Sequence, residues 1–254
     1  MNMSKIGHAT SDSVLRANRK LYDCIADRYE QIDGRRSQEL LLWLRENLIR
    51  IRRQTAGESF LDLGTGSGLV TRCATGLFTF RIGLDLSATI MALNRDSFDA
   101  AVVADTNCLP FSNKSFDVVT CFAVLHHLFS FEALVAELAR ILKPGGVFYC
   151  DHDMDVSFSK RFRFPLSLYR KMRNSYARYS EACSTITADI YHLAEWHEDG
   201  VDSGHLVTLL QRSGFSVDAR FHWFGLTSVT NRLFHKKTFK AGFAPLLSVT
   251  AVRL

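Results

Sequence analysis

The stretch Phe60-Leu-Asp-Leu-Gly-Thr-Gly-Ser-Gly68 joins an apolar strand to a glycine-rich turn, and Asp62 stands just before the turn. Glycine lets the backbone approach a ligand closely and adopt conformations that a Cβ atom forbids. The residues from Leu69 to Leu77 predict a helix whose N-terminus faces the same point. A glycine cluster can also form a plain strand-to-helix connection. Other sequence motifs are therefore needed to tell whether this turn binds a ligand.

The composition indicates a globular protein with one full core. The chain has 254 residues, of which 47% are hydrophobic and 22% are charged. It contains no apolar run of the roughly 20 residues that a membrane helix needs, and residues 1–18 lack the apolar core of a signal peptide. We therefore expect a cytoplasmic protein. The net charge of +5 permits an anionic substrate or nucleic acid and requires neither.

The six cysteines are scattered and form no Cys-x-x-Cys pair. This spacing argues against a disulfide scaffold and against a zinc ribbon. We expect all six to be reduced and to act as small buried hydrophobic residues.

Short strand-like runs alternate with helical ones along most of the chain. This alternation predicts an α/β doubly wound fold with a mostly parallel sheet. The predicted strands are Ser59 to Leu63, Phe80 to Leu86, Ala101 to Asp105, Phe116 to Phe122, Gly146 to Asp151, Phe215 to Phe224 and Leu247 to Leu254. The predicted helices of this part are Gly68 to Leu77, Ala88 to Asn94, Phe131 to Leu142 and Ser203 to Arg212.

We interpret the chain as a single domain, 1–254, in four parts. Residues 1–57 hold two N-terminal helices joined near Gly34, and residues 58–155 form a ligand-binding core. Residues 156–202, here named the cap, contain no clear strand and are rich in aromatic residues. Residues 203–254 complete the sheet.

Acidic residues end several of the predicted strands. In an open α/β sheet, ligands bind outside the carboxyl ends of the strands, where Asp62, Asp85, Asp105 and Asp151 are expected. Asp85 follows Asp62 by 23 residues, close to the spacing at which a carboxylate binds the two hydroxyls of a ribose. The row therefore indicates a nucleoside ligand. The alternative is that each aspartate only caps a helix or stabilises a turn.

An ordered set of sequence blocks, between about Tyr22 and Gly146, resembles the class I S-adenosylmethionine-dependent methyltransferases. The similarity is greatest to the small-molecule branch that includes the ubiquinone and menaquinone C-methyltransferases. It implies a Rossmann-like, seven-stranded sheet whose last strand is antiparallel, whereas the N-terminal helices and the inserted helical cap are inferred from the sequence pattern described above. The blocks are Leu61-Asp-Leu-Gly-Thr-Gly-Ser-Gly68, Gly83-Leu-Asp-Leu-Ser87, Ala104-Asp-Thr-Asn-Cys-Leu-Pro-Phe111, Ser115-Phe-Asp-Val-Val119, Val124-Leu-His-His-Leu128 and Leu142-Lys-Pro-Gly-Gly146.

The resemblance implies that the glycine turn binds S-adenosylmethionine. Gly64, Thr65 and Gly66 are expected beside its methionine and ribose portions, and Asp62 is expected to meet its ammonium directly or through water. This cofactor has an ammonium and a sulfonium but no pyrophosphate, so acids suit it better than a phosphate site. The spacing is G-x-G-x-G, whereas a dinucleotide site requires G-x-G-x-x-G.

The same resemblance assigns the rest of the cofactor site. Asp85 is expected to bind the ribose hydroxyls, and Leu86 is expected to lie against the face of the adenine. Asp105 and Thr106 are expected at the adenine edge.

Two tyrosines and two histidines are further candidates. Tyr22-Asp-Cys-Ile-Ala-Asp-Arg-Tyr29 resembles the segment that folds over the cofactor, so Tyr22 is expected to contact it and Tyr29 to act as a lid. Half-buried tyrosines at the rim of an amphipathic helix are the alternative. His126 and His127 follow the fourth strand, and either can serve as a general base. We favour His126, since a matching histidine in phosphoethanolamine methyltransferases pairs with an N-terminal tyrosine. A structural role is the alternative.

The cap carries two further patterns. His192, Glu195 and His197 form a His-x-x-Glu-x-His array, but no fourth ligand has a matching spacing, so we expect no metal. The segment from Lys160 to Ser180 holds seven basic residues and no acid. We interpret it as a solvated helix face, and contact with an anionic substrate, a lipid surface or RNA is the alternative.

The sequence thus predicts an enzyme of the EC 2.1.1 class. It is expected to transfer the methyl group of S-adenosylmethionine to an oxygen or carbon of a small, partly apolar molecule. After the fourth strand it reads Cys121-Phe122-Ala123-Val124, not the Asn-Pro-Pro-Tyr of amino-methylating enzymes, so nucleic acid is not the expected partner. The alternatives are an RNA or protein methyltransferase that docks through the basic segment, and a non-catalytic protein that binds S-adenosylmethionine.

Overall fold

The structure, a computed structural model, describes residues 9–33, 37–55 and 57–254. The predicted helix break at Gly34 lies outside the described residues. The strands are β1 Ser59–Leu63, β2 Phe80–Asp85, β3 Ala100–Val103, β4 Phe116–Phe122, β5 Leu142–Met154, β6 Phe215–His222 and β7 Leu246–Arg253. The N-terminal helices are α1 Ser11–Ile25, α2 Tyr29–Asp33 and α3 Gln38–Thr55.

Helices cover the sheet and follow most of its strands. In the first half they are α4 Leu69–Cys73, α5 Ala88–Leu93 and α6 Glu132–Ile141. Between β5 and β6 the chain forms α7 Val156–Arg161, α8 Arg163–Arg173, α9 Ser175–Ala182, α10 Ala188–Ala194 and α11 Ser203–Arg212, and α12 Ser228–Phe234 precedes β7. The helix predicted to reach Leu77 ends at Cys73, because the chain turns at Gly76 with a φ of +73°.

The seven strands form one sheet in the order β3-β2-β1-β4-β5-β7-β6. Neighbours from β3 to β5 are parallel, whereas β7 is antiparallel to both β5 and β6. The predicted mostly parallel sheet with an antiparallel last strand is therefore confirmed. The order reverses between β1 and β4, and ligands bind at such a point in doubly wound sheets.

Burial on both faces explains why the central strands read as continuous apolar runs. Phe60 of β1 is fully buried against α3, whose Leu44 and Leu48 are also fully buried. Leu61 and Leu63, also fully buried, belong to the core on the other side of the sheet, with α6 and α11. A strand with helices on both sides lacks the alternation of polar and apolar residues that an exposed sheet face produces.

The N-terminal helix packs against the cap and not against the central strands. Leu21 and Ile25 of α1 are fully buried in a cluster with Ile186 and with Tyr191 of α10. This contact places α1 and the cap together over the carboxyl end of the sheet.

The prediction that all six cysteines are reduced and buried is wrong for three of them. Cys24 of α1 and Cys183, just after α9, form a disulfide with a Cα–Cα distance of 6.1 Å, and Cys108 is exposed. Spacing along the sequence did not indicate the pair, because 159 positions separate the two cysteines. The bond ties α1 to the cap.

Within the described ranges, no helix is both long and apolar enough to cross a membrane.

We predict that the Cys24→Ser/Cys183→Ser variant unfolds with a free energy lower by about 2–5 kcal/mol, because the disulfide closes a long loop of the unfolded chain. Urea unfolding under oxidising conditions measures the difference. Dithiothreitol should lower the stability of the parent protein and leave that of the variant unchanged. Cys108→Ser is the control, and equal stability of the parent and the double variant would contradict the prediction.

Candidate functional site

The turn after β1 is compressed between two other segments. Gly64 and Gly66 have φ values of +64° and +51°. A Cβ atom on Gly64 would lie 2.5 Å from Val124, and one on Gly66 would lie 3.3 Å from the ring of Tyr29. Both positions therefore favour glycine for backbone conformation, and Gly64 also requires it for space.

Asp62 lies buried at the end of β1, where Thr120 Oγ1 donates a hydrogen bond of 2.7 Å to its carboxylate. Burial is the main reason why the pKa of Asp62 rises to about 7, and the charge of Asp85 adds to the increase. Neither Asp62 nor Thr65 is among the residues that line the adjoining cleft.

Asp85 fixes the glycine turn to the end of β2. Its carboxylate accepts hydrogen bonds from Gly66 N at 2.8 Å and from Ser87 N at 2.9 Å. Burial raises the pKa of Asp85 above its ordinary value, although these N–H groups act in the opposite direction. The same side chain lines the cleft.

The cleft outside the strand ends, named here the strand-end cleft, encloses about 770 Å³, part of which is open to solvent. Asp105 Oδ1 accepts hydrogen bonds from the backbone and side-chain nitrogens of Asn107. Thr106 Oγ1 is buried and has no hydrogen-bond partner among the described residues. The predicted site residues that line the cleft are Tyr22, Tyr29, Gly64, Gly66, Asp85, Leu86, Asp105, Thr106 and His127.

Asn18 of α1 also lines this cleft, and the sequence analysis missed it. Its Nδ2 donates to Val14 O and to His127 O, whereas its buried Oδ1 has no partner in the described part of the chain. The sequence did contain a signal. Asn18 is a polar residue on the apolar face of α1, four positions after Val14 and three before Leu21.

A second cavity adjoins the strand-end cleft and encloses about 580 Å³, also partly open to solvent. Tyr22, Tyr29, Ala123 and His127 line both spaces and form the boundary between them. The other residues of the second cavity come from α2, the loop after β4 and the cap: Ile32, His126, Ser175, Arg178, Tyr179, Tyr191 and Glu195.

His127 pairs with Tyr22 across this boundary. Its Nδ1 lies 2.8 Å from Ala194 O, and a carbonyl only accepts, so Nδ1 carries the proton. His127 Nε2, 2.8 Å from the Tyr22 hydroxyl, therefore accepts a hydrogen bond from the tyrosine in the neutral imidazole. The tyrosine partner that favoured His126 in the sequence analysis thus belongs to His127.

His126 lies between two carboxylates. Its Nδ1 is 2.6 Å from Asp153 Oδ1, and its Nε2 is 3.5 Å from Glu195 Oε2. Burial opposes ionisation of Asp153, but its hydrogen bonds with His126 and the charge of that ring hold its pKa below the ordinary value. Asp153 therefore holds His126 with Nε2 directed towards Glu195.

Asp151, the fourth acid of the predicted row, does not line the strand-end cleft. The strand continues past it to Met154, so Asp151 is buried within β5 and accepts hydrogen bonds from Trp43, His152 and His222. The register of β5 shifts just after Asp151, and Asp153 contacts the loop after β4 instead. The sequence analysis missed Asp153 for this reason.

The His-x-x-Glu-x-His array does not form a cluster of its own. His192 Nδ1 lies 3.3 Å from Glu198, and the ring of His197 lies against Phe131. Glu195 instead approaches His126 and His127, and one ligand atom from each of the three lies within 4.8 Å of the others.

Comparison with known proteins agrees with this geometry. Residues 61–150 match the family described as a methyltransferase domain. The chain is a class I S-adenosylmethionine-dependent methyltransferase. This methyltransferase is 29% identical over 208 residues to the demethylmenaquinone methyltransferase of Tropheryma whipplei (strain Twist), an alignment that covers 78% of this chain and 82% of that protein.

Two other comparisons cover 41% and 87% of the methyltransferase. It is 32% identical over 110 residues to the ubiquinone biosynthesis O-methyltransferase of Thiobacillus denitrificans, covering 41% of this chain and 47% of that protein. The solved structure of an S-adenosylmethionine-dependent methyltransferase from Mesorhizobium loti superposes with a TM-score of 0.56 at 18% identity. That match covers 87% of this chain and all of the other chain, and it shows a shared fold.

We predict that Asp62→Asn stabilises the ligand-free methyltransferase more at about pH 8 than at about pH 5, by about 2 kcal/mol. The raised pKa of Asp62 means that the folded state prefers the neutral acid, so ionisation between the unfolded-state pKa of 3.8 and about 7 costs stability as the pH rises. Asparagine remains neutral and can still accept from Thr120. Urea unfolding at both pH values measures the effect. Asp218→Asn, on an exposed side chain of β6, is the control. An equal gain in stability of Asp62→Asn at both pH values would contradict the raised pKa of Asp62.

Proposed function

We propose that this methyltransferase binds S-adenosylmethionine in the strand-end cleft and transfers its methyl group to an oxygen or carbon of a small, partly apolar molecule in the second cavity. The supporting observation is that the two spaces meet at one boundary, lined by Tyr22, Tyr29, Ala123 and His127. Methyl transfer requires donor and acceptor in line across a short distance, and such a boundary provides that arrangement.

The residues of the strand-end cleft fit the proposed cofactor. Asp85 offers a half-buried carboxylate at the end of β2 for the two ribose hydroxyls. The glycine turn leaves no Cβ atoms between the backbone and a ligand. The buried oxygens Thr106 Oγ1 and Asn18 Oδ1 have no partner in the described ranges, and a nucleoside has nitrogens and hydroxyls for both.

We propose that Asp62 contributes to cofactor binding although it is buried beneath the glycine turn. A cationic group of the cofactor near the turn favours the ionised carboxylate and so lowers the raised pKa of Asp62. Because Asp62 does not line the cleft, we propose that its contribution is electrostatic or passes through water.

The lining of the second cavity favours an acceptor with a polar head. Arg178, Glu195 and the two histidines supply charged and titratable groups there, and Tyr179 and Tyr191 supply aromatic surface. The names of the two curated relatives refer to demethylmenaquinone and to ubiquinone biosynthesis. They support an acceptor with a ring that carries an oxygen.

The cofactor supplies an activated methyl group on its sulfonium, so the protein mainly aligns the acceptor and excludes water. α1 and the cap carry out both tasks, because Leu21 and Ile25 of α1 pack into the cap over the strand ends. Tyr22 and His127 are hydrogen-bonded to each other at the boundary between the two spaces. We propose Tyr29 as the lid residue above Gly66.

His126 is the proposed general base. A carboxylate that holds Nδ1–H leaves Nε2 of a neutral imidazole as the acceptor, and Nε2 of His126 belongs to the second cavity beside Glu195. His126 can therefore take the proton of an acceptor hydroxyl as its oxygen gains the methyl group. His127 uses both of its ring nitrogens in the contacts with Ala194 and Tyr22, which suits a positioning role.

The cytoplasm remains the proposed location. Cellular thiols there keep most cysteines reduced, so the disulfide between Cys24 and Cys183 would form only transiently in that compartment. The two alternatives, an RNA or protein methyltransferase and a non-catalytic binding protein, have no comparable support from the site.

We predict that Asp85→Asn weakens the binding of S-adenosylmethionine about 100-fold, because the ribose hydroxyls lose a charged acceptor. Asparagine keeps the volume and can still accept from Gly66 N, so the turn should persist. Titration calorimetry measures the affinity, and Asp218→Asn serves as the control. Unchanged affinity in the Asp85 variant would remove the ribose assignment.

We predict that the protein releases S-adenosylhomocysteine with at least one member of a panel of phenols, quinols, fatty acids and amines. With that acceptor, His126→Gln should lower kcat by about two to four orders of magnitude and leave cofactor affinity unchanged.

Tyr22→Phe, which removes the hydroxyl that donates to His127, is the comparison and should change KM more than kcat. Normal turnover of the His126 variant would assign that residue a structural role. Cofactor binding without turnover of any acceptor would support the non-catalytic alternative.

A further inference from the structure

α8 exposes an apolar stripe that nothing in the described structure covers. Phe164, Leu168 and Met172 are 86%, 63% and 79% exposed, and α8 has no buried residue. Their spacing of four positions places them along one face of the helix. Pro165 and Tyr169, both exposed, widen that face. Single exposed hydrophobic residues are ordinary, whereas a continuous apolar stripe along a helix indicates an interaction surface.

The attachment of α8 fixes the direction of this stripe. Leu166 and Arg170, four positions apart, are the partly buried residues of the helix. Arg170 forms an ion pair with Asp199 and donates a hydrogen bond to Glu198 O. Because Leu166 and Arg170 lie about half a turn from Phe164 and Leu168 around the helix, the apolar stripe faces away from the protein.

Basic residues surround the stripe. The segment 160–173 contains six of them and no acid: Lys160, Arg161, Arg163, Arg170, Lys171 and Arg173. Lys171 borders one side of the stripe and Arg173 the other, and the Arg173 guanidinium lies 5.7 Å from the ring centre of Tyr169. A helix with an outward apolar face and a basic border matches the interfacial helices that lie in the plane of a membrane surface.

We propose that α8 docks the protein on an anionic lipid surface. Phe164, Leu168 and Met172 would enter the boundary between headgroups and acyl chains, while Lys171 and Arg173 meet lipid phosphates. The solvated helix face expected from the sequence accounts for the charges but not for the apolar stripe between them. RNA offers phosphates to the basic residues but no apolar medium for Leu168 and Met172.

The position of α8 gives the docking a consequence for catalysis, and this step rests on the proposed function. α8 ends at Arg173, and the next helix contributes Ser175, Arg178 and Tyr179 to the second cavity. A protein docked through α8 would therefore hold the acceptor cavity near the lipid surface, where a partly apolar acceptor concentrates.

Vesicle sedimentation with the full chain tests the docking without reference to any acceptor. We predict binding to vesicles of phosphatidylcholine with phosphatidylglycerol, and at least about tenfold weaker binding to vesicles of phosphatidylcholine alone. Leu168→Glu should weaken binding to the anionic vesicles by at least about tenfold, and so should raising the salt to about 1 M.

Two matched control variants distinguish the contribution of α8 to vesicle binding from the effect of the same substitution elsewhere on the surface. Leu93→Glu replaces a leucine of similar exposure, 60%, at the end of α5, and it should bind like the parent. Lys171→Glu should weaken binding, whereas Arg53→Glu, which changes the net charge equally at the end of α3, should not. Turnover of a water-soluble acceptor in solution should be the same for Leu168→Glu and the parent, so failure of docking and failure of the proposed function are distinguishable.

Three results would overturn the proposal. One is absence of binding to the anionic vesicles, and another is equal binding by Leu168→Glu and the parent. The third is a dimer in solution, or a complex with RNA, that Leu168→Glu disrupts while vesicle binding persists, because a second copy or a nucleic acid would then occupy the stripe.

Discussion

The hydrogen bond from Gly66 N to the half-buried carboxylate of Asp85 is the constraint on which the site depends. It joins the turn after β1 to the end of β2, and the hydrogen bond from Thr65 N to Leu84 O joins the same two segments. The turn can pass this close to the loop after β4 because Gly64 lacks a side chain where Val124 lies. Burying the carboxylate raises its pKa, a cost that the N–H groups of the turn offset in part.

The N-terminal helix and the cap act as one structural unit above this turn. Leu21 and Ile25 pack into the cap, and the disulfide between Cys24 and Cys183 links the same two segments. Tyr22 lies on the helix between these anchors and reaches His127 after β4. Tyr22 of this unit therefore separates the space beside the glycine turn from the polar cavity under the cap.

The two adjacent histidines receive different environments from the same short loop. His127 is held by a carbonyl and a tyrosine, whereas His126 is held by the buried carboxylate of Asp153 and faces Glu195. The carbonyl and the tyrosine hydroxyl engage both ring nitrogens of His127, whereas Asp153 holds only Nδ1 of His126. The division of roles proposed for them follows from this difference.

The sequence by itself determined the sheet, because continuous apolar runs such as that of β1 arise only where helices cover both faces. It also indicated the glycine turn and Asp85, whose spacing is local to one β-α-β unit. Tertiary structure alone decided which histidine meets Tyr22, that Asp153 and not Asp151 reaches the site, and that Cys24 pairs with Cys183. These contacts join segments about 30 to 160 positions apart in the sequence. They depend on tertiary packing and on a register shift in β5, which the local sequence pattern does not predict.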